Sequence, residues 1–326
     1  MDHQHTDALR AQLLQRRDRL REFILEERKT PQLINLVHEV ELALERLNDG
    51  TYGICEICHE GIEDEYLHSE PLVRVCLAHL SEAQQRAVER DLQLASQIQG
   101  QLLPQHHLTI EGWETSYHYE PVGPVSGDYC DIVKSADGAT YFLFGDVSGK
   151  GVAASLLVSH LHAMFRTLLS SEQPLNVLME RANRLFCEST LSANFATLVC
   201  GRLSRTGEVE LCNAGHCYPL VVSGGYIRSI ESTGLPLGTF FNAEYKAVKL
   251  QLSGGDVLFL YTDGLTEAVN ERGEEYSEAQ LSALVSREGR QEPQKLIKAC
   301  IDDLTLFRGV TPKADDLTIM VFRKTN

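Results

Sequence analysis

The residues with the clearest chemical potential are four aspartates after residue 104, each next to a short apolar run. Short apolar runs bounded by turn residues are typical of buried strands, so each carboxylate is expected at a strand end. Taken singly, an aspartate in such a place is a turn or cap residue. The repetition of the pattern instead indicates one shared site. Its members are Asp128, Asp146, Asp263 and either Asp315 or its neighbour Asp316.

Carboxylates that converge in this way must be balanced by cations. At an effective dielectric constant near 20, each close pair of carboxylates repels by on the order of 4 kcal/mol. Four negative charges match two divalent ions, and ligation by oxygen alone favours Mg²⁺ or Mn²⁺ over zinc. Two such ions about 3.5–4 Å apart share a water, lower its pKa and hold phosphoryl oxygens for in-line displacement. The aspartates therefore predict two-metal chemistry on a phosphoryl group.

One of the aspartates joins a predicted strand to a glycine-rich turn. The apolar run 141–144 leads to Asp146, and two glycines in the next five residues allow the backbone to turn tightly. Apolar periodicity over residues 152–169 predicts that a helix follows. A phosphate-binding P-loop fails on spacing. Phe144 stands where its first glycine belongs, and Gly151 stands where Ser or Thr should follow the lysine.

A second group of possible ligands lies nearer the N-terminus, in a segment too short and polar to build its own core. Two pairs, Cys-x2-Cys and Cys-x2-His, are separated by seventeen residues. Four soft ligands in two turns suit tetrahedral zinc, whose binding free energy can replace missing hydrophobic burial. Because protein side chains fill all four positions, the zinc is predicted to be structural. The ligands are Cys55, Cys58, Cys76 and His79, with His59 and His68 as rivals.

Three stretches have helical periodicity. Apolar residues recur at helical spacing over residues 6–27 and again after Pro31, which predicts an antiparallel hairpin or a dimerising pair of helices. Over residues 80–103 apolar positions repeat by sevens. This repeat predicts a helix that packs on a partner helix, its symmetry mate, or else lies on its own domain. Pro104 closes this linker helix.

Length and composition restrict the class of protein. The 326 residues suffice for about two domains, and 43% hydrophobic with 23% charged residues is ordinary for a soluble globular protein. The net charge of −16 argues against non-specific nucleic-acid binding. There is neither an apolar run of about 18 residues nor a signal peptide, so no membrane association and a cytoplasmic location are expected. In a reducing compartment the nine cysteines are not expected to form disulfides.

Residues 42–80 resemble the zinc-finger region of the DksA/TraR family, through the stretch Leu42–Cys58 and the spacing of the finger. In that family, as here, helical hairpin residues precede the finger. His79 replaces the usual fourth cysteine, and histidine can still bind zinc. The resemblance implies one structural zinc ion. In DksA an acidic hairpin tip enters RNA polymerase, whereas the break Glu27–Pro31 is mixed in charge and nearer basic.

Residues 92–324 resemble the metal-dependent protein serine/threonine phosphatases of the PPM superfamily, specifically the SpoIIE/RsbU-like branch that regulates sigma-factor partner switching. The motifs that carry the resemblance occur in order as Gln97–Pro104, Ser126–Tyr129, Gly145–Gly151, Asn213–His216, Gly234–Gly238, Tyr261–Glu267 and Asp315–Thr318. The resemblance implies an α+β fold of two stacked antiparallel sheets flanked by helices, with the metals at one edge. It also implies the ligands Asp128, Asp146, the Val147 carbonyl, Asp263 and Asp315 for two Mn²⁺ or Mg²⁺ ions, and it prefers Asp315 to Asp316.

Residues near these motifs carry further expectations. Asp131 lies three positions beyond Asp128, so on a continuous strand it points to the opposite face and is a poor ligand. The stretch Asn213–His216 is predicted to be a structural turn, with contact of Asn213 or His216 with the site as the alternative. No arginine that would clamp phosphate is evident beside the aspartates, which leaves phosphate recognition to the metals. The resemblance implies that residues 152–169 form a switch, although core packing gives the same pattern.

Together these observations predict four regions: a helical hairpin over 1–50, a zinc finger over 51–80, a linker or dimerisation helix over 81–103 and a phosphatase domain over 104–326. The function that the resemblance implies is removal of phosphate from Ser or Thr of a phosphorylated STAS-type anti-sigma-factor antagonist. The enzyme would be a cytoplasmic homodimer joined through the 80–103 helix. The alternative is a zinc-finger transcription regulator that binds RNA polymerase or another protein, with a degenerate phosphatase domain as sensor. The presence of all four aspartates favours the enzyme.

Overall fold

Two compact units divide the chain, Met1–Asp91 and Leu92–Asn326, called below the N-terminal and the C-terminal unit. The computed structural model describes residues 10, 13–21, 31–63, 66–67, 70–80, 82–105, 110–135, 138–170, 173–191 and 193–326. The predicted break at 27–31 falls largely on residues outside these ranges, as does His68.

The N-terminal unit contains the predicted helical hairpin. Residues 13–21 are helical, and helix α1 spans Pro31–Asp49. Arg10 contacts Asn48, and Arg21 contacts Glu41, so the two helices run antiparallel. Their apolar faces meet in a small core formed by Leu13, Val40, Ala43, Leu44 and Leu47. The described parts of the two helices therefore pack as an antiparallel pair within one chain.

The segment after α1 is held by short-range contacts and has little regular structure. Cys55 N donates to Glu60 O at 2.8 Å, and a 3-10 turn spans Leu77–His79. Helix α2 follows over Glu82–Gly100, close to the predicted linker helix, and it begins in one unit and ends in the other. The small core of this segment consists of Cys55, Ile62, Leu67 and Cys76.

In the described part of the C-terminal unit, ten strands form two five-stranded sheets with antiparallel pairing. The first sheet, in spatial order, contains β1 (Trp113–Glu120), β10 (Leu317–Lys324), β9 (Val257–Tyr261), β6 (Leu220–Ser223) and β7 (Tyr226–Ser229). The second contains β2 (Asp128–Lys134), β3 (Thr140–Val147), β4 (Ala196–Leu203), β5 (Glu208–Ala214) and β8 (Val248–Gln251).

Both faces of each sheet are covered, and the central strands accordingly carry apolar side chains on both faces. The inner faces pack on each other, with the rings of Phe142 and Phe322 5.0 Å apart. Burial on two faces explains why β3 is continuously apolar instead of alternating. The helices are α3 (Gly151–Leu168) and α4 (Leu175–Ser189) on the second sheet, and α6 (Glu278–Glu288) and α7 (Pro293–Arg308) on the first.

The predicted fold class, two stacked antiparallel sheets flanked by helices, is confirmed. One local detail differs, because Asp263 begins a one-turn helix, α5 (Asp263–Thr266), instead of a simple turn. None of the helices in the described ranges has the length and apolar character that crossing a membrane requires.

Candidate functional site

The register of β2 and β3 brings the first two predicted aspartates together. Asp128 pairs directly with Asp146 across the two strands. Because side chains alternate along a strand, Asp128 shares the inner face with Cys130, and Asp146 shares it with Phe144. Both carboxylates therefore project from the second sheet toward the first, at one edge of the sandwich.

Two threonines of the first sheet contact the Asp128 carboxylate. Thr262, which follows β9, donates from Oγ1 to Asp128 Oδ2 at 3.1 Å, and Thr318 of β10 donates to the same oxygen. The threonines also contact each other, since Thr318 N donates to Thr262 Oγ1 at 3.0 Å. Asp128 is buried, and burial followed by the charge of Asp146 raises its pKa well above the ordinary value. Neither threonine was singled out from the sequence, although each lies within three residues of a predicted ligand.

The predicted aspartates influence each other's ionisation. Burial and then the charges of Asp263 and Asp315 raise the pKa of Asp146 to about 7. Burial and then Asp315 also raise the pKa of Asp263. Carboxylates that hinder each other's ionisation are stabilised by a bound cation, and their oxygens are the ligands that Mg²⁺ and Mn²⁺ prefer. This donor set fits the two ions that the sequence predicts.

The neighbours Asp315 and Asp316 have different contacts. Both oxygens of Asp316 accept hydrogen bonds from the loop before β2, from Val122 N at 2.6 Å, Ser126 Oγ at 2.6 Å and Gly127 N at 3.1 Å. Asp315 is 49% exposed, and its Oδ2 lies 3.3 Å from Lys150 Nζ. The geometry therefore favours Asp315 as the ligand and Asp316 as an anchor of the loop that leads to Asp128.

The loop that follows Asp146 also lies at this site. A Cβ atom added at Gly127 would stand 2.9 Å from Asp146 Oδ1 and 3.0 Å from Val147 O, so the backbone passes too close for another residue. Asp146 Oδ1 and Val147 O therefore both lie close to Gly127. Ser148 N donates to Phe195 O at 2.9 Å, which attaches the loop to the segment before β4.

Lys150 brings a positive charge to this site. The sequence predicted that phosphate recognition would fall to the metals. In the structure Lys150 Nζ lies beside Asp315. Its charge lowers the pKa of Asp263, although burial and the charge of Asp315 raise that pKa by more. Its position between Gly149 and Gly151, directly after a predicted ligand, was the signal in the sequence. The φ angles of these glycines, 102° and 66°, bring the chain back toward the aspartates.

The Asn213–His216 turn contacts the site indirectly. Asn213 bonds within the turn, accepting from His216 N at 2.8 Å. His216 Nδ1 lies 2.9 Å from Thr197 Oγ1, which donates to the backbone oxygen of Asp146 at 3.3 Å. Burial lowers the pKa of His216 to about 4, so its imidazole is neutral at pH 7. The turn therefore supports the strand of Asp146, and these contacts involve backbone and Thr197 instead of the carboxylate.

The cysteine and histidine pairs of the N-terminal unit meet as predicted. The ligand atoms of these four side chains all lie within 4.8 Å of one another, and Cys76 Sγ stands 3.1 Å from His79 Nδ1. Desolvation opposes ionisation of Cys55, but backbone N–H donors such as that of Cys58 outweigh it and lower its pKa to about 6. This donor set, three thiols and one imidazole, fits structural zinc. The rival His59 is exposed and outside the group.

Comparison with known families agrees with this architecture. The model of the stage II sporulation protein E (SpoIIE) family matches residues 136–325, more than half of the chain. The model of the prokaryotic dksA/traR C4-type zinc finger matches residues 50–78. The chain belongs to the SpoIIE family and carries a dksA/traR zinc-finger domain in front of the matched segment.

Individual relatives share parts of the chain. Protein IcfG of Synechocystis sp. is 26% identical in an alignment of 207 residues that covers 55% of this chain but only 33% of IcfG, so the match spans about a third of that relative. Phosphoserine phosphatase RsbU of Bacillus subtilis is 24% identical over 74% of this chain and 72% of its own length. The SiaA-PP2C domain of Pseudomonas aeruginosa superimposes with a TM-score of 0.65 at 22% identity, over 74% of this chain and 99% of that domain.

Proposed function

We propose that the C-terminal unit hydrolyses phosphoserine or phosphothreonine of a regulatory protein, using two Mn²⁺ or Mg²⁺ ions. The ions would be held by Asp128, Asp146, the Val147 carbonyl, Asp263 and Asp315. The observation that carries the proposal is that Asp128 pairs with Asp146 and contacts Thr262 and Thr318 across the sandwich, while burial and mutual charge raise the pKa of Asp128, Asp146 and Asp263. Membership in the SpoIIE family supports the same chemistry.

The chain's own residues would prepare this site in distinct ways. Bound divalent ions supply a water of lowered pKa and a clamp for phosphoryl oxygens. Thr262 and Thr318 orient the Asp128 carboxylate, and Asp316 fixes the loop that leads to it. Lys150 places a positive charge at the rim, where an anionic phosphate arrives. No side-chain nucleophile is needed.

The test uses the full chain and a phosphoserine peptide as substrate. Wild type should release phosphate in the presence of Mn²⁺, and Asp146→Asn should lose at least about a hundredfold in kcat, about 2.7 kcal/mol of transition-state stabilisation. Asp302→Asn is the control, because Asp302 pairs with Lys298 on the exposed face of α7. Equal activity of wild type and Asp146→Asn would contradict the proposal, as would a wild type that is inactive with both Mn²⁺ and Mg²⁺.

For the substrate we propose a phosphorylated STAS-type anti-sigma-factor antagonist. The support is the resemblance of the catalytic motifs to the SpoIIE/RsbU-like branch and the similarity to RsbU, a phosphoserine phosphatase by name. A purified phosphorylated STAS protein should be dephosphorylated with a higher kcat/KM than an unstructured peptide that carries its phosphoserine. Equal kcat/KM for the two substrates would argue against recognition of a folded STAS domain.

For the N-terminal unit we propose a structural zinc ion on Cys55, Cys58, Cys76 and His79, and an input role for the whole region before the phosphatase domain. In this proposal residues 80–103 dimerise the protein in the cytoplasm, and α3 acts as the switch. The boundaries are those proposed from the sequence, 1–50, 51–80, 81–103 and 104–326. Specific activity should then rise with protein concentration across the dimerisation range. A constant specific activity with a monomeric mass by light scattering would contradict the dimer.

A further inference from the structure

An ion pair between a buried aspartate and an arginine that is 45% exposed joins β2 to the helix that follows the candidate metal loop. Asp131 lies on β2 three residues beyond Asp128, and its side chain is 0% exposed. Arg166 of α3 donates to both carboxylate oxygens, from Nε to Oδ2 at 2.9 Å and from Nη2 to Oδ1 at 2.8 Å. Ile132 N donates to Oδ1 at 2.8 Å, and His162 Nδ1 lies 3.4 Å from Oδ2.

This contact gives a structural role to Asp131, which strand alternation excluded from the metal site. Tyr129, Asp131 and Val133 face the α3 side of the sheet, while Cys130 and Ile132 face the inner core. A carboxylate buried there depends on its partners, since an unpaired buried charge is strongly unfavourable. Any position of α3 that moves Arg166 away from Asp131 is therefore energetically unfavourable.

The geometry of the pair also restricts the direction in which α3 can move. A guanidinium that donates two parallel hydrogen bonds fixes both the distance and the orientation of the groups that it joins. Moving α3 along its axis by one residue, about 1.5 Å, would break both bonds. Apolar packing of α3, through residues such as Leu161 and Phe165, tolerates small shifts better than a bidentate ion pair does. The pair therefore specifies one register of α3 on β2.

The opposite end of α3 lies at the metal site. The helix begins at Gly151, three residues after the loop leaves Ser148. A Cβ atom added at Gly127 would stand 3.6 Å from Ala154 Cβ and 2.9 Å from Asp146 Oδ1, so the first turn of α3 abuts both metal-binding segments. Because a helix is stiff along its axis, a register fixed at Arg166 is also fixed about 22 Å away at Gly151.

We propose that Asp131 and Arg166 form a positioning pair that holds α3 in the register that the metal site requires. This inference rests on the proposed phosphatase function. Neither side chain touches the candidate ligands; the pair acts through α3 on the loop 148–150 and on Asp146. A pair that only stabilised the fold would affect the melting temperature without affecting the activity of folded protein.

The test compares variants of the full chain with a phosphoserine peptide at increasing Mn²⁺ concentration, well below each melting temperature. Arg166→Gln should lower kcat by roughly tenfold to a hundredfold, as expected for a small misplacement of catalytic groups, and raise the Mn²⁺ concentration at half-maximal activity. Arg166→Lys keeps the charge without the bidentate geometry and should restore part of kcat. The control Arg323→Gln removes another ion pair, Arg323–Glu114 at 2.9 Å, and should leave both quantities unchanged.

Two results would overturn the inference. One is a folded Arg166→Gln protein with the wild-type kcat and wild-type Mn²⁺ dependence, whatever its melting temperature. If Arg166→Gln does not fold, Arg166→Lys decides, and a wild-type kcat and Mn²⁺ dependence in that variant is the second such result. Failure of the proposed function has a separate signature, because the wild-type chain itself would then show no Mn²⁺-dependent phosphate release.

Discussion

At the scale of single residues, adjacent side chains of one type take on different tasks. Asp315 and Asp316 are chemically identical, yet Asp316 accepts three hydrogen bonds from the loop before β2 while Asp315 is half exposed beside Lys150. Asp128 and Asp131 differ in the same way, because they lie on opposite faces of one strand. The contacts of each carboxylate, more than its place in a motif, indicate which one is available to a metal.

The contrast between Asp315 and Asp316 can be measured. Asp316→Asn should lower the free energy of unfolding by about 1–3 kcal/mol, because Val122 N, Ser126 Oγ and Gly127 N lose their charged acceptor. Asp315→Asn should leave stability unchanged or raised, since it removes a charge that repels Asp146 and Asp263, while kcat falls by about a hundredfold. Urea denaturation and phosphopeptide hydrolysis give the two quantities. The opposite pattern, with stability loss in Asp315→Asn alone, would contradict the assignment.

A second prediction concerns the threonine that contacts Asp128. Thr318→Val keeps the shape of the side chain but removes its hydroxyl donor, so the Asp128 carboxylate loses part of its orientation. Loss of such a supporting contact typically weakens metal affinity about 10- to 100-fold. The Mn²⁺ concentration at half-maximal activity should therefore rise by about tenfold or more, and Thr318→Ser should remain near wild type. Equal Mn²⁺ dependence of Thr318→Val and wild type would exclude this role.

At the scale of elements, the sequence predicted the parts of the site better than their connections. Apolar runs that end at Asp146 and Asp263 were sufficient to predict strand ends, because burial on both faces leaves a continuous apolar signal. The alternation of side chains along a strand was enough to predict that Asp131 and Asp128 face opposite sides of the sheet. The contact of Thr318 with Asp128 depends on the spatial order of the strands, which no local pattern encodes. The glycines on either side of Lys150 were a local signal, but they did not reveal that its partner would be Asp315.

The packing between elements gives a prediction for the scaffold. Gly201 of β4 faces the ring of Phe142, and an added Cβ atom would lie 2.1 Å from its Cζ. Gly201→Ala should therefore lower the free energy of unfolding by about 1–3 kcal/mol through overpacking, which for a unit of this size is a fall in melting temperature of about 2–4 °C per kcal/mol. Gly123→Ala is the control and should cost less, because the φ of Gly123 is not positive and an added Cβ atom would stand at an ordinary 3.6 Å from Val125 O. Similar losses in the two variants would argue against the packing explanation.

At the scale of the whole molecule, the two units offer two different sets of candidate metal ligands. Soft sulfur and nitrogen ligands in the N-terminal unit suit zinc, whereas the oxygen ligands of the C-terminal unit suit Mg²⁺ or Mn²⁺. The small apolar core around the finger means that zinc binding would supply much of its folding free energy. The net charge of −16 is consistent with a protein that attracts cations.

The zinc prediction has a direct readout. The full chain, prepared with zinc and passed through desalting, should contain one zinc ion per chain, and Cys55→Ser should contain much less. Cys187→Ser is the control, because Cys187 lies on α4 in the other unit. Elemental analysis of the three proteins measures the stoichiometry. Full zinc content in Cys55→Ser would contradict the four-ligand assignment.

The central claim is that aspartates from two sheets form one binding site for divalent metal. Calorimetric titration of the full chain, zinc-loaded and free of other divalent ions, with Mn²⁺ measures this most directly. We expect two Mn²⁺ ions per chain in wild type, and the loss of at least one of them in Asp146→Asn with the fold intact by circular dichroism. Identical isotherms for wild type and Asp146→Asn would contradict the account.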